Sequence, residues 1–165
     1  MKHVIIIGGG VAGMQCASEL LRHGVAVTII EKEQDLGGKI RSWHKLFPTF
    51  TPADEVLAAL HQRLQAYSNL TIKRGCEATL VTSQKVTLST GEELECDAAV
   101  VATGFTLFDA RIKEEYGYGI YDNVITSADL EQMFNENNVR LKQGGVPRRI
   151  AILHCVGSRD EKVCQ

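Results

Sequence analysis

The chain has 165 residues, of which 44% are hydrophobic and 23% charged, with a formal net charge of −2. This composition supports a folded domain with a core of its own and argues against a disordered chain. There is no basic surplus for nucleic acid, and no apolar run approaches the roughly 18 residues that span a bilayer. We therefore expect a cytoplasmic protein with reduced cysteines, no nucleic-acid partner and no direct membrane insertion.

The first thirty residues alternate between strand and helix patterns. Val4 to Ile7 is an apolar run typical of a strand buried on both faces. Val11 to His23 has a helical pattern that ends at Gly24, a common helix-terminating residue. Ala26 to Ile30 repeats the buried-strand pattern. This βαβ order predicts a parallel sheet with a right-handed crossover.

The middle of the chain predicts one more helix, one more sheet strand and a small antiparallel meander. Thr51 caps a helix with Pro52 in its first turn, and one apolar face follows. That face comprises Val56, Leu57, Leu60, Leu64 and Tyr67. The predicted short strands are Leu70 to Arg74, Ala78 to Thr82, Lys85 to Leu88 and Glu93 to Glu95.

Three later segments complete the predicted fold. Ala98 to Ala102 has the pattern of a buried strand, Ser127 to Phe134 that of a helix, and Ile150 to Val156 that of a final strand. The fold class is α/β, a Rossmann-like domain with a parallel sheet and a small antiparallel β-meander.

A glycine motif stands between the first strand and the first helix. Gly8, Gly10 and Gly13 form G-x-G-x-x-G, in which the glycines allow a tight turn, close approach of a pyrophosphate and close packing of the helix. Glu31 ends the second strand about 20 residues later, where a carboxylate accepts hydrogen bonds from an adenosine ribose. Such a carboxylate also disfavours a 2′-phosphate. The elements in this order predict a dinucleotide site rather than an empty glycine turn.

Three features favour FAD over NAD. The motif lies at the start of the chain, Gly37 and Gly38 follow Glu31 closely, and Ala102-Thr103-Gly104 ends a strand that follows a meander. Together these features resemble the FAD domain of the glutathione-reductase-like flavoproteins, which have two dinucleotide-binding domains. The candidate cofactor-binding residues are Gly8, Gly10, Val11, Ala12, Gly13, Glu31, Lys32, Gly37, Gly38, Lys39, Ala102, Thr103 and Gly104.

Longer stretches carry a closer resemblance. The segments LGGKIRSWHKLFPTF, ATGFTLFDARIKEEYGYGIYDNVITSADLE and HCVGSRDEKVC are similar to the A subunit of heterodisulfide reductase. They are also similar to the related flavoprotein A subunit of the quinone-interacting membrane-bound oxidoreductase. The resemblance implies an FAD-bearing oxidoreductase subunit that passes electrons among iron–sulfur clusters and partner subunits in anaerobic energy metabolism.

The sequence departs from that family in two places. Some members carry cluster-binding cysteines just after FPT, where this chain continues with Phe50 and Thr51, and the family continues beyond Gln165. We therefore expect a fragment of a longer protein. Residues 1–146 would form the FAD-binding domain, incomplete in this chain. Residues 147–165 would start a second dinucleotide-binding domain or supply the last strand of the first.

The remaining reactive side chains have two interpretations each. Cys16 and Cys155 are expected to pack, with a redox or ligand role as the alternative for Cys155. Cys76 and Cys96 flank the predicted meander and are expected to be inert; Cys164 resembles the first of a cysteine group. His44 either faces the flavin or is an exposed loop residue, and Arg41 either neutralises a phosphate near Gly38 or is a surface arginine. The histidines show no metal-binding spacing.

No nucleophile–base pair is evident, so no catalytic residue is assigned; a flavin itself supplies the redox chemistry. A different class of function stays open at this point. The chain could instead be a regulatory or scaffolding module that binds NAD or ADP without redox activity.

Overall fold

The computed structural model describes residues 2–158, which form two compact units. The first unit comprises residues 2–41 and 45–104. The second comprises residues 42–44 and the described residues from 105 onward. The predicted glycine motif and every candidate cofactor-binding residue lie in the first unit.

The elements of the first unit follow the predicted order. Its strands are β1 (His3–Ile7), β2 (Ala26–Glu31), β3 (Lys45–Leu46), β4 (Thr51–Pro52), β5 (Leu70–Arg74), β6 (Ala78–Val81), β7 (Lys85–Leu88), β8 (Glu93–Glu95) and β9 (Ala98–Val101). Its helices are α1 (Val11–Arg22) and α2 (Ala53–Gln65). The second unit contains α3 (Ser127–Asn135) and the 3₁₀ turns Ala110–Ile112 and Glu114–Tyr116.

The main sheet has four parallel strands in the order β5-β2-β1-β9. Strand β1 lies between β2 and β9, with Ile5 opposite both Thr28 and Ala99. Strands β6, β7 and β8 form a separate antiparallel sheet. The predicted α/β class, with a parallel sheet and a small meander, is confirmed.

Strand β1 is buried on both faces because it separates two apolar clusters. Ile6 packs with Met14 of α1, Leu60 of α2 and Ile29 of β2. Successive side chains of a strand point to opposite faces, so Ile5 and Ile7 point away from Ile6. They belong to a cluster with Val86 and Leu88 of the meander. The helices therefore cover one face of the sheet and the meander the other.

Two local predictions need correction. Helix α2 has Pro52 rather than Thr51 as its N-cap, and the Thr51 hydroxyl lies 2.7 Å from that of Thr49. Strand β9 is not fully buried and ends at Val101, whose exposed fraction is 67%. It forms one edge of the four-stranded sheet, so its outer side lacks a neighbour that would cover it.

The predicted strand over Ile150 to Val156 does not form. Ile150, Ile152 and Leu153 are exposed, and no described strand pairs with them. A β-branched run needs a partner strand for its backbone hydrogen bonds, and propensity alone does not supply one. Cys155 is exposed with φ +60°, so the expected packing role is wrong. Cys164 lies outside the described residues. Within residues 2–158, no helix is both long and apolar enough to cross a membrane.

The core predicts a clear stability contrast. Ile29 is fully buried between α1, α2 and the sheet, whereas Leu80 of β6 has an exposed fraction of 55%. Ile29→Ala should lower the free energy of unfolding by about 2–5 kcal/mol through lost burial and a cavity. Leu80→Ala should lower it by less than about 1 kcal/mol. Chemical denaturation followed by far-ultraviolet circular dichroism measures both, and equal losses would contradict the assigned core.

Candidate dinucleotide-binding site

The first glycine forms the turn that follows β1. Gly8 has φ +108°, and its N–H donates to the carbonyl of Ile30 over 2.8 Å. A Cβ at Gly8 would lie 2.3 Å from the Ala102 carbonyl oxygen and 3.1 Å from the Thr103 nitrogen. Glycine is therefore required both by the turn and by the segment after β9, which crosses directly against it.

The third glycine lets α1 pack onto this turn. A Cβ at Gly13 would lie 1.9 Å from the carbonyl oxygen of Gly8 and 3.3 Å from Cγ2 of Ile6. No side chain fits at that separation, so the helix approaches the end of β1 by backbone alone. This is the packing that the spacing of the motif predicts.

The second glycine has a different environment. Gly10 is the N-cap of α1, with φ −73° and ψ −176°, and no described atom lies within 4 Å of the place where its Cβ would be. Its side of the loop is open. The N–H groups that open a helix have no intrahelical acceptor, and the first turn of α1 carries no acidic residue. This arrangement suits an anion such as a phosphate.

A second glycine pair lies against the first. The Gly37 N–H donates to the Gly9 carbonyl over 2.8 Å, and Gly37 pairs with Gly10 in an isolated parallel bridge. A Cβ at Gly38 would lie 3.2 Å from the Cα of Gly10. We call Gly8, Gly9, Gly10, Gly37 and Gly38 the glycine cradle. Its open side at Gly10 fits the pyrophosphate of a dinucleotide.

Glu31 holds the cradle together. Glu31 is only 6% exposed; Oε2 accepts from the Gly9 N–H at 2.7 Å and Oε1 from the Glu33 N–H at 2.9 Å. Each carboxylate oxygen has a second lone pair, so further hydrogen bonds from a ribose remain available. The acid that the sequence predicts for ribose binding therefore also fixes the loop that precedes α1.

Sequence reasoning missed Gly9. A Cβ there would lie 2.4 Å from Cδ2 of Leu36 and 3.0 Å from Oε2 of Glu31. The motif does not require this middle glycine. The run of three consecutive glycines after β1 was the available signal.

The other candidate residues surround the cradle to different degrees. Val11 and Ala12 begin α1, and Ala102 donates its N–H to the Ile7 carbonyl over 2.8 Å. The remaining four, Lys32, Lys39, Thr103 and Gly104, are exposed on the segments that follow β2 and β9.

His44 belongs to the second unit. Its backbone N–H donates to Glu131 Oε2 over 2.7 Å, and its ring stacks on Phe134 of α3 with centroids 5.8 Å apart. It is half-buried, so the expectation of an exposed loop residue is wrong.

The expected packing of Cys16 is confirmed, and Cys76 and Cys96 are packed as well. Cys16 packs against the helix-side cluster, and Cys76 and Cys96 belong to the meander-side cluster. Burial raises the pKa of both the Cys76 and the Cys96 thiols. A raised pKa leaves less of the reactive thiolate at neutral pH.

The fold and this cradle define a Rossmann-type, dinucleotide-binding domain. A family model described as pyridine nucleotide-disulphide oxidoreductase matches residues 2–153. The chain belongs to this family, and its predicted cofactor class is confirmed: it is an FAD-binding domain.

The relatives agree with the resemblance seen in the sequence. The chain is 28% identical to the iron-sulfur A subunit of the CoB–CoM heterodisulfide reductase of Methanocaldococcus jannaschii, over 98% of this chain and 38% of that protein. It is 26% identical to the A subunit of the ferredoxin:CoB–CoM heterodisulfide reductase of Methanosarcina mazei, over 98% of this chain and 32% of that protein. The chain thus spans less than two fifths of the length of these curated relatives.

A solved structure shows the same fold. The tetrameric form of 2-methyl-3-hydroxypyridine-5-carboxylic acid oxygenase matches with a TM-score of 0.52 and 21% identity, over 63% of this chain and 40% of that one. The likeness supports the α/β architecture.

Two glycine substitutions should separate packing from ligand binding. Gly10→Ala meets open space at an ordinary φ, so its free energy of unfolding should stay within about 1 kcal/mol of the wild type. Its affinity for FAD or ADP should fall at least tenfold, because the new methyl group occupies the open side of the cradle. Gly13→Ala should instead lose about 1–3 kcal/mol of stability through overpacking. Isothermal titration and denaturation measure both; unchanged affinity in a folded Gly10→Ala protein would remove the cradle from consideration.

The thiols should differ in reactivity. Cys155 is exposed, whereas Cys76 is 6% exposed and has a raised pKa caused by burial. At pH 7.5, iodoacetamide should alkylate Cys155 at least tenfold faster than Cys76. Peptide mass spectrometry over time measures the two rates, and comparable rates would contradict the buried position of Cys76.

Proposed function

We propose that this chain binds FAD through the glycine cradle and forms the FAD-bearing part of an electron-transfer oxidoreductase subunit, of the same type as the A subunit of heterodisulfide reductase. Membership of the pyridine nucleotide-disulphide oxidoreductase family supports the class of chemistry. Similarity over 98% of the chain to proteins named as A subunits of heterodisulfide reductases supports the type of subunit.

One observation carries the proposal. All fifteen glycines lie within the described residues, and fourteen of them have either a positive φ or a neighbouring atom that a Cβ would overlap. Gly10 alone has neither. Its missing side chain is explained by a ligand that occupies the open side of the cradle.

The chain's own residues bind and orient the cofactor. The N–H groups of Val11, Ala12 and Gly13 open α1 and donate to the pyrophosphate, which Gly10 allows to approach closely. Gly37 and Gly38 offer a second stretch of backbone without side chains. Glu31 accepts from the adenosine ribose.

Other candidate residues flank this core of the site. Gly8 shapes the turn, and Lys32, Lys39, Ala102, Thr103 and Gly104 line the adjoining loops. When bound, FAD supplies the redox chemistry, so no general base or nucleophile from the chain is needed.

We further propose partners and a location. Iron–sulfur proteins are the electron-transfer partners, supported by the name of the Methanocaldococcus relative, an iron-sulfur subunit of a reductase. The cytoplasm is the location, supported by free thiols at all four described cysteines, the usual state in a reducing compartment.

Titration of the purified chain with FAD, ADP and NAD tests the proposal. FAD should bind and give the chain a flavin absorption spectrum, and ADP should compete with it for the cradle. Gly10→Ala serves as the folded control that binds both ligands at least tenfold more weakly. Binding of NAD without any binding of FAD would instead establish the regulatory or scaffolding module.

Substitutions of Glu31 should separate its two tasks. Glu31→Ala leaves the buried N–H of Gly9 without an acceptor, which should destabilise the fold by about 1–3 kcal/mol. The part-buried N–H of Glu33 also loses its acceptor, but water can replace it, so the added loss should be smaller. Glu31→Gln keeps one acceptor oxygen and should fold, yet bind ADP several-fold more weakly. It should also reduce the preference for ADP over ADP that carries a 2′-phosphate, because the repelling charge is gone. An unchanged preference would contradict a role for Glu31 at the ribose.

A further inference from the structure

An ion pair lies beside the cradle and has no role in the packing of the core. Arg41 donates from its guanidinium to Oδ2 of Asp35 over 2.9 Å. The two residues flank the segment that carries Gly37 and Gly38. Both side chains are largely exposed, at 46% for Arg41 and 68% for Asp35.

The stem of Arg41 lies on a cradle glycine. A Cβ at Gly37 would be 2.9 Å from Cγ and 3.2 Å from Cδ of Arg41. Gly37 in turn pairs with Gly10, the residue at the open side of the cradle. The Arg41 stem therefore contacts the glycine that pairs with Gly10. Exposed side chains reorient within nanoseconds, so the guanidinium is free to leave Asp35.

The charge balance at the proposed pyrophosphate site favours an additional cationic side chain. A helix N-terminus contributes roughly half an elementary positive charge, against about two negative charges on a pyrophosphate. The planar fork of an arginine matches phosphate oxygens in a bidentate arrangement. An exposed pair such as Asp35–Arg41 typically contributes only about 0–1 kcal/mol, so Asp35 holds Arg41 weakly.

We propose that Arg41 exchanges Asp35 for the pyrophosphate when the dinucleotide binds, so that Asp35 is a competing anion that lowers affinity. This inference rests on the proposed function of the cradle and adds a residue pair to it. No covalent step is involved; one ion pair breaks and another forms.

The test compares ADP with adenosine, which lacks the phosphates, in isothermal titrations of the full chain at low salt. Arg41→Gln should weaken the binding of ADP about tenfold, close to 1.4 kcal/mol, and leave the affinity for adenosine unchanged. Arg22→Gln is the matched control, because Arg22 forms a similarly exposed pair with Glu19 over 3.0 Å near the opposite end of α1. It should change neither affinity.

A substitution of Asp35 provides the decisive comparison. Asp35→Asn should strengthen ADP binding about threefold in the wild-type background and have little effect in the Arg41→Gln background. A weaker affinity in Asp35→Asn, or an equal gain in both backgrounds, would overturn the exchange. So would an unchanged ADP affinity in Arg41→Gln.

The outcome separates this inference from the proposed function. A wild-type chain that binds neither ADP nor FAD contradicts the proposed function itself. A wild-type chain that binds ADP, with Arg41→Gln binding it equally well, contradicts only the role of Arg41.

Discussion

The close approach of backbone to backbone around Gly8 is the constraint on which the first unit depends. The end of β1, the start of α1 and the segment after β9 meet there. A side chain at Gly8 would lie 2.3 Å from the Ala102 carbonyl oxygen, and one at Gly13 would lie 1.9 Å from the Gly8 carbonyl oxygen. Contacts this short leave room only for hydrogen atoms. The chain therefore has glycine at both places before any ligand is considered.

A buried carboxylate links this packing to binding. Glu31 ends β2, the strand adjacent to β1, and reaches across to the N–H of Gly9. Burying an ionised carboxylate is unfavourable unless donors compensate, and the N–H groups of Gly9 and Glu33 supply two. The same side chain thus fixes the shape of the cradle and presents acceptor atoms at its rim. Stability and ligand recognition are coupled at this position.

The parts of the fold that sequence predicts well are those with local causes. Ile5, Ile6 and Ile7 form a continuous apolar run because both faces of β1 are covered, and Gly24 marks the end of α1 because its φ is +75°. Whether β9 is exposed at the sheet edge, and whether the segment at Ile150 pairs as a strand, depends on which strands lie beside them. The local sequence of these segments does not specify those neighbours. The hydrogen bond from Gly9 to Glu31 joins residues 22 apart in sequence and is visible only in three dimensions.

Gly10 gives the strongest link from structure to function because a glycine at this position does not help to stabilise α1. As the N-cap of α1 it occupies a position where Ser, Thr, Asp or Asn would accept a hydrogen bond from the first turn, and it makes no such bond. The space beside it would admit a side chain. A better cap would place an oxygen where the helix N–H groups point and would compete with an anion for them. The glycine leaves those donors to a ligand, and a phosphate is the ligand that such donors favour.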